Sequence, residues 1–144
     1  MIARRHLEQA ERDCLAVPAA GVNWSGCDMA ARNLGAADLS RANLSNAVLK
    51  AVDLQAAQLQ SADLSYANLE GADLRSADLR AANLKGALLR GANLSQSDLR
   101  DADLGYANFQ AANLDGASLS GAKLDRAIWI DGRVCANGSA GECR

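Results

Sequence analysis

Residues 37–46 read Ala-Asp-Leu-Ser-Arg-Ala-Asn-Leu-Ser-Asn, which is one five-residue unit written twice. The unit, Ala-(Asp/Asn)-Leu-X-X, continues in both directions with no shift in register. From Leu34 to Trp129 a large apolar residue stands at every fifth position, and eighteen of these twenty central residues are Leu. Less regular copies begin at Val22, so the chain contains twenty-two units.

A spacing of five between leucines fits neither a regular helix nor a regular strand. On an α-helix, five residues turn the side chain by about 500°, so successive leucines would point about 140° apart and cover every side. On a flat strand, alternate leucines would face opposite sides, and one short chain would need two cores. If the chain instead bends by about a right angle in each unit, every Leu and Ala points to one axis. Four such units then close a square coil.

The composition agrees with a core made from two residue types. Of the 144 residues, 31 are Ala and 21 are Leu, whereas 3% are aromatic. The longest apolar runs are far shorter than the roughly 20 residues that cross a bilayer, so we expect no membrane insertion. The net charge of −2 and the two tyrosines, Tyr66 and Tyr106, are too little for a nucleic-acid surface, and no nucleic-acid partner is expected.

The tandem unit resembles the pentapeptide repeat proteins over residues 22–131. The resemblance implies an all-β solenoid: a right-handed quadrilateral β-helix with four repeats per coil and about 5.5 coils, roughly 26 Å long at the spacing of paired strands. We therefore expect an N-terminal helical cap at residues 1–21, the β-helix at 22–131 and a C-terminal cap at 132–144. One column of the predicted core ladder comprises Leu39, Leu59, Leu79, Leu99 and Leu119.

The two ends of the chain depart from the repeat. Residues 3–16 are rich in helix formers and precede Pro18, which predicts a short α-helix lying across the first coil, with a partner-binding helix as the alternative. At the far end, residues 129–143 resemble the tail that follows the last coil in one bacterial subset of the family. Trp129 is large enough to cover the final Leu layer.

Four cysteines lie only near the ends: Cys14 and Cys27 before the regular repeats, Cys135 and Cys143 after them. One disulfide in each cap is the leading hypothesis, because a covalent tie helps most where a stack frays. Free buried thiols are an alternative. A zinc site is disfavoured, since the sequence has no Cys-x-x-Cys and a single His, His6.

The expected cellular location depends on these cysteines. Two disulfides would imply an extracytoplasmic compartment, such as a periplasm, a lumen or the outside of the cell, whereas reduced thiols would imply the cytoplasm. No apolar segment follows Met1, so the sequence contains no signal peptide, and an extracytoplasmic location requires that one was removed.

Positions twenty residues apart should stack on one face of the coil. Arg80 and Arg100 form such a column, and Asp78 and Asp98 place an acid beside each Arg. We interpret these groups as solvated charges that keep the rod soluble. The alternative is an anionic-ligand-binding module through the basic middle coils.

A second departure from the repeat concerns the outward Asp/Asn position. Val48, Leu88 and Ile128 occupy this position at intervals of forty residues, so they share one face. Each packs under an adjacent side chain or cap in the simplest interpretation. The alternative is an apolar stripe for a dimer or a protein partner.

The sequence favours a binding protein over an enzyme. The Asp and Ser residues recur by period and do not converge, no phosphate-binding Gly-rich loop exists, and a filled coil has no pocket, so we expect no enzyme activity, cofactor or metal. The hypothesis is a protein-interaction or structural scaffold, a monomer or weak homodimer, with an unknown protein partner. The family resemblance implies an alternative, a DNA-mimicking protein that binds gyrase or topoisomerase. Mimicry of DNA needs a strongly negative rod, whereas residues 22–131 hold thirteen acidic against ten basic residues.

Overall fold

The computed structural model of the protein describes residues 11–144. In this range the backbone forms neither helices nor extended strands, and its regular structure consists of turns and isolated β-bridges. Parallel bridges join residues twenty positions apart, from Asn23 with Asn43 to Asn108 with Ile128. One coil therefore comprises four five-residue units, and the coils stack into a β-helix solenoid with one column of bridges for each unit.

Each unit bends because its last two residues form a tight turn. In the unit centred on Leu39, the turn is closed by the backbone N–H of Ala42, which donates to the Leu39 carbonyl at 3.0 Å. Arg41, the last residue of the unit, has a φ of 58°. A positive φ at this position is the property of type II turns. The Asp38 carboxylate accepts a hydrogen bond from the Ser40 backbone N–H at 3.1 Å, which explains why Asp or Asn precedes the central Leu.

Hydrogen bonds between coils run along both sides of each bridge. The Leu79 N–H donates to the Asp98 carbonyl at 2.8 Å, and the Asp98 N–H donates to the Ala77 carbonyl at 3.0 Å. Backbone groups that face a neighbouring coil are thereby paired, which allows Ala and Leu side chains to fill the interior without burying unpaired polar backbone. This arrangement repeats from coil to coil and explains the strict period of the sequence.

The core ladder is closed in the middle and open at one end. Leu39, Leu59, Leu79 and Leu99 are fully buried, whereas Leu119 is half-buried. The last segment of the chain turns back and forms antiparallel bridges with Lys123 and Ile128 only. Within residues 11–144, no further segment bridges the other two of the four columns of bridges. The last leucine in each of those two columns therefore keeps part of its surface in water. Trp129 packs edge-on against Phe109, with ring centroids 5.7 Å apart.

The predicted N-terminal helix is wrong for the part of the chain that can be checked. Residues 3–10 of that prediction lie outside the described residues, and residues 11–16 are not helical. The Asp13 N–H donates instead to the Asn23 carbonyl at 2.9 Å, and the Ala16 N–H closes a turn onto the Asp13 carbonyl at 3.1 Å. The chain is thus bonded to the first coil, which competes with the helical hydrogen bonds of this segment.

Both predicted disulfides are present, Cys14–Cys27 and Cys135–Cys143, and none of the four cysteines is free. Cys27 and Cys135 are buried in the core, while their partners lie in the terminal segments and are half-buried. The first cross-link therefore ties the non-repeating N-terminal segment to the repeat stack, whereas the second closes a loop within the C-terminal cap. Across residues 11–144 we find no helix with the length and apolar character required to cross a membrane.

Candidate interaction surface

The four columns of outward side chains differ in chemistry. Three of them present Asp, Asn, Gln, Ser or Lys, as expected for positions in water. The fourth carries all three apolar residues found at the outward position of the unit, and we call it, with the turns on either side, the apolar face. Its column contains Asp28, Val48, Asn68, Leu88, Asn108 and Ile128.

The three apolar residues of this column are covered to different extents. Leu88 remains 39% exposed, whereas Val48 and Ile128 are half-buried. Ile128 forms its bridge with Val134 of the C-terminal segment, and Val134 is itself 56% exposed. The apolar column therefore continues onto the tail, which the spacing of the repeat did not reveal because the tail has no repeat.

Both tyrosines lie in the turn that leads into the apolar face. Tyr66 and Tyr106 are 58% and 59% exposed, and each precedes a column residue by two positions. Ile130, 41% exposed, lies in the turn that follows the face. Leu15 and Val17 are exposed in the N-terminal segment, outside this face. The other exposed large apolar side chains within residues 11–144 lie on this face or continue its column. These residues are Tyr66, Leu88, Tyr106, Ile130 and Val134.

The spacing of the repeat predicts only Val48, Leu88 and Ile128 on this surface, and it does not predict Ile130 or Val134. The two tyrosines are too few to predict a stacking platform for bases. A signal for them was available, since Tyr66 and Tyr106 each stand two residues before the column. Their exposure could not be read from the period, because it depends on the direction each ring takes over the neighbouring coil.

A shallow depression borders the apolar face on the side opposite the tyrosines. Glu70, Arg90 and Gln110 occupy the same turn position in three successive coils, and Gly91 and Ala111 form the floor beside them. The depression is open to solvent and places a negative and a positive side chain one coil apart. It has the shape of a contact surface and not of a substrate pocket.

The basic column predicted from Arg80 and Arg100 lies half a coil away from the apolar face. Arg80 Nη2 contacts the Asp78 carboxylate at 2.6 Å, and Arg100 Nη2 contacts that of Asp98 at 2.7 Å. Gln60 donates a further hydrogen bond to Asp78 at 2.8 Å. Since both guanidinium groups are directed at carboxylates of the same rod, the column is a charge ladder and offers little to an external anion.

These hydrogen bonds also shift the acidity of the carboxylates. The side-chain hydrogen bond from Arg80 lowers the pKa of Asp78, and that from Arg100 lowers the pKa of Asp98, in each case against the opposing effect of partial burial. The structure does not bring Arg80 or Arg100 together with Leu88. Among residues 11–144, no group of His, Cys, Asp and Glu side chains is arranged to hold a metal ion.

Comparison with known proteins agrees with this architecture. The family described as pentapeptide repeats matches residues 25–65, 57–96 and 92–128, in 8 copies. The fold is similar to the crystal structure of Rfr23, a pentapeptide repeat protein from the cyanobacterium Cyanothece 51142, with 33% identity over 74% of this chain and 90% of that chain and a TM-score of 0.65.

A second similar structure is a pentapeptide repeat protein from the Arabidopsis thaliana thylakoid lumen. It is 24% identical over 83% of this chain and 85% of that chain, with a TM-score of 0.57, and it shares the fold. The comparison with curated proteins gives no match. The repeat, the stacked coils and the match to the family along most of the chain lead to one conclusion: the chain belongs to the pentapeptide repeat family.

Proposed function

We propose that this protein is a non-enzymatic scaffold that binds a protein partner through its apolar face. The observation that carries the proposal is the concentration of exposed apolar side chains on one face of a rod whose other three faces are polar. Apolar side chains gathered on one surface are typical of protein interaction sites, whereas singly scattered ones carry no such meaning. Leu88 lies at the centre of this patch, flanked by Tyr66 and Tyr106.

The absence of enzyme activity is part of this proposal. The interior is filled by Leu and Ala side chains, and the depression beside Arg90 is open to solvent, which favours a contact surface over an enclosed substrate site. The charged groups at Asp78, Arg80 and Asp98 form a ladder along the rod and do not converge on one point. No cofactor is required for a function of this kind.

We propose further that the rod is right-handed and square in cross-section, as the family resemblance implies. One column of bridges for each unit and a tight turn in each unit support this shape. The proposed parts of the chain are a terminal cap at residues 1–21, the repeat region at 22–131 and a second cap at 132–144. The two disulfides, one near each end, support this division.

An extracytoplasmic location, in a periplasm, a lumen or outside the cell, is the location that we propose. Disulfides persist in oxidising compartments and are uncommon in the cytoplasm, and this chain carries two of them. Fractionation of the native source with an antibody against the protein tests the location. Recovery in the cytoplasmic fraction with four alkylatable thiols would overturn it.

Capture from that compartment tests the binding role. Immobilised wild-type protein should retain a partner that Leu88→Asp does not retain, because a carboxylate at the centre of the face would have to be desolvated on binding. Asn83→Asp is the matched control, since it adds the same charge at the same position of the unit in the same coil, on the next face. Equal capture by wild type and Leu88→Asp would refute a binding role for this face.

A further inference from the structure

We propose that the apolar face binds a second copy of this chain, packed face to face and antiparallel across a two-fold axis. This inference rests on the proposed binding role of the same face and names its occupant. The axis lies in the plane of contact, perpendicular to the rod, and passes between two successive coils. One of these coils carries Tyr66, Asn68 and Glu70, and the other carries Gly86, Leu88 and Arg90.

Charge complementarity is the first argument. A two-fold axis of this kind reverses the order of the coils but keeps each column opposite itself. Glu70 and Arg90 hold the same position in successive coils, so Glu70 of one copy faces Arg90 of the other, and the contact occurs twice. Arg75, Arg80 and Arg100 are paired with acids of their own rod, whereas no ion pair within residues 11–144 involves Glu70 or Arg90.

The same charges restrict the register, and the Tyr66 ring then selects one arrangement. If the axis passed through the coil of Leu88, Arg90 would face Arg90 of the second copy. If it passed through the coil of Asn68, Glu70 would face Glu70. An axis parallel to the rod would oppose the tyrosine side of the face to the side that carries Glu70 and Arg90. An axis between the coils of Val48 and Asn68 would also pair opposite charges, Glu70 with Lys50. Only the antiparallel arrangement centred between the coils of Asn68 and Leu88 pairs opposite charges on both copies and also places the Tyr66 ring, which lies over Gly86, at the axis.

The Tyr66 ring supplies the apolar centre of the contact. The ring lies over the next coil, so close to Gly86 that a Cβ on that glycine would be 2.4 Å from Tyr66 Cε1. The ring therefore lies between the two coils, at the axis, where it meets the Tyr66 ring of the second copy. Leu88, which is 39% exposed, faces Asn68 of the second copy. It also contacts Leu88 of the second copy diagonally, as side chains do across neighbouring strands.

The size of the face predicts a weak complex. A face of about five coils is roughly 25 Å long and about 10 Å wide. The area of this face is small compared with the area of about 800 Å² that each partner buries in a standard stable interface. We therefore expect a dimer that forms at concentrations of about 100 μM and dissociates on dilution. Two ion pairs between half-buried Glu70 and exposed Arg90 also make the association sensitive to salt.

Sedimentation equilibrium of the full chain at low salt, from about 10 μM to about 1 mM, tests the proposal. Wild type should show a monomer–dimer equilibrium. Glu70→Arg and Arg90→Glu should each raise the dissociation constant by about tenfold or more, because two attractive contacts become repulsive. An equimolar mixture of the two variants should associate again, since the mixed dimer pairs opposite charges at both contacts.

Asp115→Arg is the control, because it makes the same change of charge at an exposed position outside the apolar face, and it should associate as wild type does. All variants should melt with the wild-type midpoint, since the exchanged side chains lie outside the core. A wild-type chain that stays monomeric at about 1 mM would overturn the proposal. The proposal would also be overturned if Glu70→Arg and Arg90→Glu each associated as wild type does, or if their equimolar mixture did not associate. A monomeric chain that still captures a partner through Leu88 would refute self-association and leave the binding role intact.

Discussion

The ring of Tyr66 lies directly against the backbone of Gly86 in the next coil, where a Cβ would stand 2.4 Å from Tyr66 Cε1. Gly86 also has a φ of +69°, a conformation that costs other residues free energy. Glycine is therefore favoured at residue 86 for two separate reasons: the turn of the unit and the space that the ring occupies. Gly91, in the next turn, has a φ of +67° and no heavy atom within 4 Å of its ideal Cβ.

This difference predicts the cost of two otherwise similar substitutions. Gly91→Ala should lower the free energy of unfolding by about 1 kcal/mol, because alanine is strained at positive φ. Gly86→Ala should cost the same plus the displacement of the Tyr66 ring. In a Tyr66→Ala background the two substitutions should become equal, as measured by urea unfolding. A smaller cost for Gly86→Ala than for Gly91→Ala in the parent chain would contradict the contact.

The core ladder predicts a strong dependence on position along the rod. Leu79→Ala should cost about 2–5 kcal/mol, because it opens a cavity in a layer covered on both sides. Leu119→Ala, the matched control at the half-buried end, should cost clearly less, since part of its surface is already in water. Leu79→Asp should abolish cooperative unfolding, because a charge would be buried. Thermal unfolding followed by circular dichroism measures all three, and equal costs for the two alanine variants would refute the open end.

The disulfide near the N-terminus allows a clean removal of a cross-link. Cys27 occupies the Ala position of its unit, so the double variant Cys14→Ala, Cys27→Ala keeps the packing of the repeat and loses the bond. We expect unfolding free energy to fall by about 2–3 kcal/mol for a loop of this size. Mass spectrometry after alkylation should find no reactive thiol in the unreduced parent. Four alkylated thiols would show that neither cross-link forms.

The charge ladder predicts how stability depends on pH. The hydrogen bonds from Arg80 and Arg100 lower the pKa values of Asp78 and Asp98, so these carboxylates release protons more readily in the folded chain than in the unfolded chain. The stability they contribute is present above about pH 4, the unfolded pKa of Asp, and is lost as pH falls through the lower folded values.

The double variant Asp78→Asn, Asp98→Asn tests this dependence. Because it lacks both carboxylates, its unfolding midpoint should fall less steeply than that of wild type as the pH is lowered below about 4. Denaturant titrations at several pH values measure the two slopes. Parallel curves would indicate that the ion pairs with Arg80 and Arg100 contribute no net stability, as is common for exposed pairs.

The period of five by itself determined the architecture of the core. It predicted which residues point inward because one register of Ala and Leu repeats through the whole central region, and a closed coil is the fold that buries both residues of every unit. It also predicted the shared column of Val48, Leu88 and Ile128, since residues twenty apart stack in any four-unit coil. The positions of Cys14, Cys27, Cys135 and Cys143 indicated cross-linked ends.

Only the tertiary structure decided what happens where the repeat stops or where side chains cross between coils. The segment after Glu11 bonds to the first coil instead of forming a helix, and the tail extends the apolar column through Val134. Whether Leu88 is exposed, or the Tyr66 ring lies over Gly86, depends on contacts with the coils above and below. The physical reason is that a repeat encodes the direction of each backbone position, whereas exposure and partners depend on the sizes of neighbouring side chains twenty residues away.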